Sequence, residues 1–247
     1  MRNIKAVVEY DGTNYVGFQK QPEGKSIQGE LERAFSTLFA SSAHVTGAGR
    51  TDAGVHAWGQ VVNCDVASDM ICYKMRWSLN GILPDDIVVK SCEDADRDFD
   101  ARRDAKSRVY KYFILNRLYP SVFCGRFMHF LARKLNTTAM RAAAQYLAGG
   151  HDFSAFCASD ATGGNARTLE RVDILREEHI TEDLISIHVE GTAFLHNMVR
   201  IIAGTLIDVG LGNMPPEKVD LILHSLDRTQ AGPTAPAKGL VLVEVRY

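Results

Sequence analysis

The 247-residue sequence predicts an α+β fold, in which helices cover one face of the sheets. Two observations carry the prediction. Short β-branched runs of alternating character recur along the chain, and segments of helical apolar period lie between them rather than in one block. No internal repeat is visible in the sequence itself.

Ile4–Tyr10 reads as a strand ended by the turn pair Asp11-Gly12. Ser26 caps a helix whose apolar positions Ile27, Leu31, Ala34, Phe35, Leu38 and Phe39 recur at 3.6-residue spacing, with Glu30 in the first turn. His44–Thr46 and Gln60–Cys64 are two further strands, separated by the glycine-rich loop Gly47–Gly54. Tyr73–Asn80 is a short helix closed by Asn80-Gly81, and Pro84-Asp85-Asp86 leads into the strand Ile87–Ser91. After this first half come a long strand at Ser107–Leu115, a helix at Thr137–Leu147 and an antiparallel pair at Thr168–Arg176 and Leu184–Gly191. Helices follow at Asn197–Val209 and Pro215–His224, then a terminal strand at Val241–Tyr247. Ala158–Ala166 and Thr229–Lys238 read as loops.

With 46% apolar and 23% charged residues, the composition excludes a disordered chain. The opening MRNIKAVVEYDG contains no signal-peptide core, and apolar runs elsewhere fall short of a membrane span, so a cytoplasmic protein is expected. Cysteines 64, 72, 92, 124 and 157 include no CxxC pair, which predicts reduced and mostly buried thiols. The spacing of Cys64 and Cys72 relative to His56 matches no common metal site. The net charge of -2 excludes a generally basic nucleic-acid coat, but it conceals a segregation: residues 97 to 134 hold ten Lys/Arg against three acids. Such a stripe suits a phosphate backbone, although on charge alone a solvated surface is the commoner reading.

The loop GAGRTDAGVHA, Gly47 to Ala57, concentrates glycine, Arg50, Asp52 and His56 between two strands. It lacks the Gly-Lys-Ser/Thr ending of a phosphate-binding loop, and a strand follows it rather than a helix. Asp-Ala-Gly also differs from the aspartic-protease pattern. Asp52 taken alone suits a loop-ordering role. A second segment changes the balance, because Phe194–Arg200 runs into an apolar helix whose leading Arg200 needs an acidic partner, and Asp52 is a candidate. Arg50 either meets a phosphate or a base or is an ordinary surface arginine. In Ser107–Phe113, strand alternation puts Arg108, Tyr110 and Tyr112 on one face, which is either a base-stacking platform or sheet core.

Several of these segments together resemble one family. Tyr10–Gln19, YDGTNYVGFQ, is similar to the opening of TruA-type pseudouridine synthases, and Gly49–Ala57 resembles their GRTDxGVHA signature. Arg108–Tyr112 resembles the family's RxYxY strand, and His151–Phe156, Phe194–Arg200, and Thr234–Ala237 with Gly239-Leu240 match in order over essentially the whole chain. Cys64 stands where an aromatic is common and Trp58 where a small residue is common, both departures in packing. The resemblance implies the pseudouridine synthase fold: two α/β halves, 1–105 and 106–247, with mixed, mainly antiparallel sheets joined over a central cleft. It implies that Asp52 is the catalytic aspartate, that Tyr110 stacks on the target base and that Arg200 pairs with the aspartate. Arg50 would hold the turned-out nucleotide, and Leu240 would line the pocket. It further implies a homodimer, without cofactor or metal, that isomerises uridine at about positions 38 to 40 of the tRNA anticodon arm. The rival expectations are an RNA-binding or chaperone protein on this scaffold without catalysis, and an aspartate-dependent hydrolase of a small nucleotide.

Overall fold

A computed structural model describes residues 1–158, 164–177 and 183–247. They form two compact units, Met1–Lys106 with Val241–Tyr247, and Ser107–Leu240. The sheets of both are mixed and mainly antiparallel, as expected.

In the first unit the strands run β4-β1-β3-β10, with β2 (Thr46–Gly47) on β3. Strand β1 (Arg2–Tyr10) pairs antiparallel with β3 (His56–Val66) and with β4 (Ile87–Ala95). Its period-two pattern buries Ile4, Ala6, Val8 and Tyr10 and leaves Glu9 exposed. Helix α1 (Ile27–Phe39) starts where Ser26 Oγ accepts the Gly29 amide, 3.2 Å away. Its Ile27, Leu31, Ala34 and Phe35 are completely buried, each worth roughly 1.5–3 kcal/mol for the larger side chains. Helix α2 (Cys72–Ile82) does not stop at Asn80-Gly81. The Asn80 amide instead brackets β4, donating to Val89 O at 3.0 Å and accepting from Val89 N at 2.7 Å, so the residue serves the sheet rather than a turn. The closing strand β10 (Leu240–Arg246) runs parallel to β3, with Val241 opposite His56 and Leu242 opposite Ala57.

In the second unit the order is β5-β9-β8-β7, with β6 on β5. Strand β5 (Ser107–Leu115) pairs antiparallel with β9 (Leu184–Gly191), and β9 with β8 (Ala166–Arg176). Two short strands, β6 (His129–Phe130) and β7 (Gly149–Asp152), were not legible, being too short for a period. Part of the expected loop 158–166, residues 159–163, lies outside the described residues, and Ala166 already belongs to β8. Helix α3 (Thr137–Ala144) is capped by Asn136, whose Oδ1 accepts from Thr138 N and Ala139 N at 3.1 Å. Helix α5 (Lys218–Ser225) begins three residues later than the pattern suggested, because the carbonyls of Pro215 and Pro216 accept the amides of Lys218 and Val219.

Helix α4 (Met198–Gly210) is apolar nearly all round and is buried accordingly. A Cβ on Gly204 would stand 1.8 Å from Pro233 O, so the segment 232–235 lies directly against the helix backbone. Thr205 Oγ1 accepts the Gly232 amide at 2.9 Å and donates to Ile201 O at 2.8 Å, fixing the same approach. Among the described residues, no helix is long and apolar enough to cross a membrane.

Gly204→Ala tests this close approach. Helix propensity alone favours alanine by about 1 kcal/mol, but overlap with a carbonyl outweighs it, and the expected net result is a loss of roughly 2 kcal/mol in urea unfolding. A raised unfolding midpoint would show the approach to be looser than described.

Candidate active site

The loop between β2 (Thr46–Gly47) and β3 is fixed at successive residues. Ala48 N donates to Val61 O at 2.8 Å, and Gln60 Nε2 donates to Gly49 O at 2.8 Å. Thr51 O accepts from Phe18 N at 3.0 Å, and the Thr51 hydroxyl lies 2.8 Å from the Tyr10 hydroxyl in the core. Asp52 O accepts from Val55 N at 3.1 Å, closing a turn whose third residue, Gly54, has a φ of 77°. Thr51 is thereby buried, while Arg50 is exposed and Asp52 half-buried. The anchored threonine turns its two charged neighbours outward.

The segment that resembles YDGTxYxGFQ is the floor of this loop, a role that the sequence did not disclose. Asp11 Oδ1 accepts from Thr13 N at 3.0 Å and orders the turn. Gly12 N donates to the buried His56 Nδ1 at 3.1 Å, which also lies 3.1 Å from Asp11 Oδ1. A Cβ on Gly12 would fall 2.0 Å from Val55 O, and one on Gly17, whose φ is 116°, would fall 2.7 Å from Thr51 O. Both glycines exist so that one backbone can lie on another. The carbonyls of Gly17 and Phe18 accept the first two amides of α1, from Ile27 at 3.2 Å and Gln28 at 2.8 Å. The otherwise unsatisfied helix start thus holds the residues that hold Thr51. Two glycines five residues apart near a tyrosine and a phenylalanine were the available signal.

In the second unit, Tyr110 of β5 lies opposite Val189 and meets Phe194 edge-on, ring centroids 5.0 Å apart. Tyr112 has no exposed surface. Its hydroxyl donates to Pro236 O at 2.9 Å, its ring occupies the space that a Gly239 side chain would need, and burial pushes its ionisation upward. The two-tyrosine platform is therefore corrected: Tyr112 is core. Lys111 likewise leaves the expected phosphate stripe, because its Nζ sits 2.7 Å from Glu177 Oε1, which also accepts from Ser186 Oγ at 2.7 Å. Arg108 Nη1 donates to Thr192 O at 2.7 Å.

Arg200, partly buried in the first turn of α4, donates from Nε to Ala235 O and from Nη1 to Asn197 Oδ1, both at 2.8 Å. Ala235 N returns a bond to Arg200 O at 3.1 Å. Asn197 occupies the left-handed region at φ 60°, which gives the helix an abrupt start. Leu240, 5% exposed, follows the short turn Ala237–Gly239 that packs on Tyr112. Arg50 and Asp52 therefore share one ordered loop in the first unit, and Tyr110, Arg200 and Leu240 belong to the second. Among the described residues, no group of three His, Cys, Asp or Glu side chains is arranged to hold a metal. The cysteines are not mostly buried: Cys72, Cys92 and Cys124 are partly exposed, and only Cys64 and Cys157 are buried, burial pushing the Cys64 thiol up to about 12.

Tyr10→Phe leaves the ring and removes the hydroxyl that meets Thr51 and the Gln60 side chain. The expected cost is about 1–2 kcal/mol in urea unfolding, since a buried hydroxyl loses its partner. A variant as stable as the parent would show that Thr51 is held by its backbone alone.

The family model described as tRNA pseudouridine synthase matches residues 6–104 and 143–247. Relatives that match over their whole length include tRNA pseudouridine synthase A of Acetivibrio thermocellus and of Ruminiclostridium cellulolyticum, each 44% identical over 248 residues and 100% of both chains. The corresponding protein of Caldicellulosiruptor saccharolyticus is 42% identical over 250 residues, again with full coverage of both. With both the anchored GRTDAGVHA loop and the floor beneath it inside the matched region, the chain belongs to the tRNA pseudouridine synthase family.

Proposed function

We propose that this chain isomerises uridine to pseudouridine at about positions 38 to 40 of the tRNA anticodon arm, as a cytoplasmic homodimer, with Asp52 as the catalytic carboxylate. The observation that carries the assignment of Asp52 is its place beside Thr51, which a backbone bond and a buried hydroxyl pair fix while Asp52 remains half-buried. A carboxylate on so constrained a backbone loses little freedom when a substrate arrives.

The reaction breaks the bond from C1′ to N1, turns the uracil and joins C1′ to C5; the C5 proton leaves to solvent and N1 gains one. The Asp52 carboxylate serves by meeting positive charge at C1′ or by removing a sugar proton. Tyr110, whose ring is already positioned by Phe194, supplies a face for the extruded base. Arg50 is exposed and holds the phosphate backbone near the turned-out nucleotide. Arg200, oriented by Asn197 and Ala235, supplies positive charge toward the carboxylate, and Leu240 gives the pocket an apolar wall. Arg102, Arg103 and Lys106 are exposed and contribute the phosphate contacts assigned to the basic segment.

The test is tritium release from unmodified tRNA labelled at C5 of uridine. The wild type should release it, and Asp52→Asn should fall by at least about a thousandfold while tRNA affinity stays within about tenfold. Equal loss of binding and turnover would make Asp52 structural, and tight binding without release by the wild type would favour the non-catalytic RNA-binding reading. Wild-type affinity for tRNA should also weaken at least tenfold between about 50 and 200 mM salt; a flat response would remove the phosphate contacts.

A further inference from the structure

We infer that the outward face of helix α2 is a second RNA contact, at which Tyr73, Arg76 and Trp77 hold one unpaired nucleobase of a tRNA whose target uridine is elsewhere. The inference rests on the tRNA-modifying reading proposed above and gives another part of that substrate a place on the protein. Tyr73 and Trp77 are one turn apart and roughly opposite the buried Met75 and Leu79, so both rings point away from the core. Tyr73 is 63% and Trp77 61% exposed. Two large aromatics that leave most of their surface in water contribute little to folding, and their clustering on one helix face marks a contact site.

The cluster is arranged before any ligand arrives. The two rings meet edge-on, with centroids 6.3 Å apart and planes at 66°, so they form a corner rather than a flat pair. The Arg76 guanidinium carbon lies 5.5 Å from the centre of the tyrosine ring and 5.8 Å from that of the indole. Its Nη1 donates to Lys90 O at 3.2 Å, which ties the side chain to the edge strand β4. That acceptor is a carbonyl, so the bond positions the positive charge without cancelling it. Residues 70 to 84 contain no Asp or Glu, and the neighbouring Lys74 is exposed. A side chain ordered in advance lowers the entropic cost of binding.

Size and charge choose the occupant. Each ring would present roughly 150–250 Å² when fully exposed, so the two together offer on the order of 250 Å² here. A protein partner takes ~800 Å² per side of a standard interface, and Ile71 at the helix start adds only one more exposed large apolar side chain. One nucleobase is the better match. Its flat face lies on the indole, its edge meets the tyrosine ring, and the phosphates on either side meet Arg76 and Lys74. Stacking of this kind tolerates any base, so the contact adds affinity for a whole tRNA without reading its sequence. The reacting uridine is assigned to the Asp52 loop, on other elements of the same unit, and the base at α2 is therefore a different nucleotide.

The chain has two tryptophans, Trp58 and Trp77, so Trp58→Phe leaves Trp77 as the sole indole reporter. Titrating that variant with unmodified tRNA at about 150 mM salt should quench the emission by at least about a third, saturating where filter binding saturates. In the otherwise native chain, Trp77→Ala should weaken tRNA binding about tenfold and raise KM to match with kcat unchanged, and Trp77→Phe should keep most of the affinity. Thermal melting of both Trp77 variants should equal that of the wild type, and if Trp58→Phe fails to fold, Trp77→Ala decides alone. Emission that stays constant while tRNA binds, or native affinity in Trp77→Ala, would overturn the inference. A wild type that binds tRNA and releases tritium while Trp77 is silent ends only this contact, whereas a wild type that binds no tRNA ends the reading beneath it as well.

Discussion

The backbone bond from Phe18 to Thr51 is the constraint on which the first unit is organised. It requires a left-handed residue without a side chain at Gly17, a flat ring at Phe18 beneath Gly47, and a helix start at Ile27 whose amides secure the carbonyls of residues 17 and 18. Local needs that look unrelated in the sequence therefore converge on one peptide group. The consequence is a loop with little conformational freedom despite its glycines. Those at 12, 17 and 47 permit close packing, and Gly54 alone supplies a turn angle within the loop.

The second unit solves a comparable problem with different parts. A helix as apolar as α4 has few means of fixing its own register, and the polar anchors at its start are Asn197 and Arg200. Arg200 exchanges two bonds with Ala235, and a hydroxyl at Thr205 and a missing side chain at Gly204 let residues 232–235 lie along it. The same segment then reaches Tyr112 through Pro236. One irregular stretch thus connects the helix that carries Arg200 with the strand that carries Tyr110.

Much of this was legible in the sequence, for identifiable reasons. Strand β5 and helix α1 were readable because their periods and, for α1, the Ser26 cap are local signals. Asn80-Gly81 misled because an amide side chain that serves a neighbouring strand has the same letters as one that closes a helix. Tyr112 and Lys111 misled for a related reason: alternation assigns a face but does not say whether that face meets solvent, a proline carbonyl or a buried glutamate. Asp52 stood out through its glycine-rich surroundings. Its support did not, because Tyr10, Gly12 and Gly17 act through contacts more than thirty residues distant.

The parallel pairing of β10 with β3 has a consequence for how the molecule is made. Val241 and Leu242 lie against His56 and Ala57, the residues that lead directly out of the aspartate loop. A chain emerging from the ribosome presents that loop before the second unit, yet the strand beside its exit follows that unit, Ser107–Leu240. So long-range a closure is slow to find and comes after the intervening unit has been translated. The strand next to the candidate catalytic loop is therefore added only once the whole of the second unit has been made, which couples the maturation of this site to the synthesis of residues far from it in sequence.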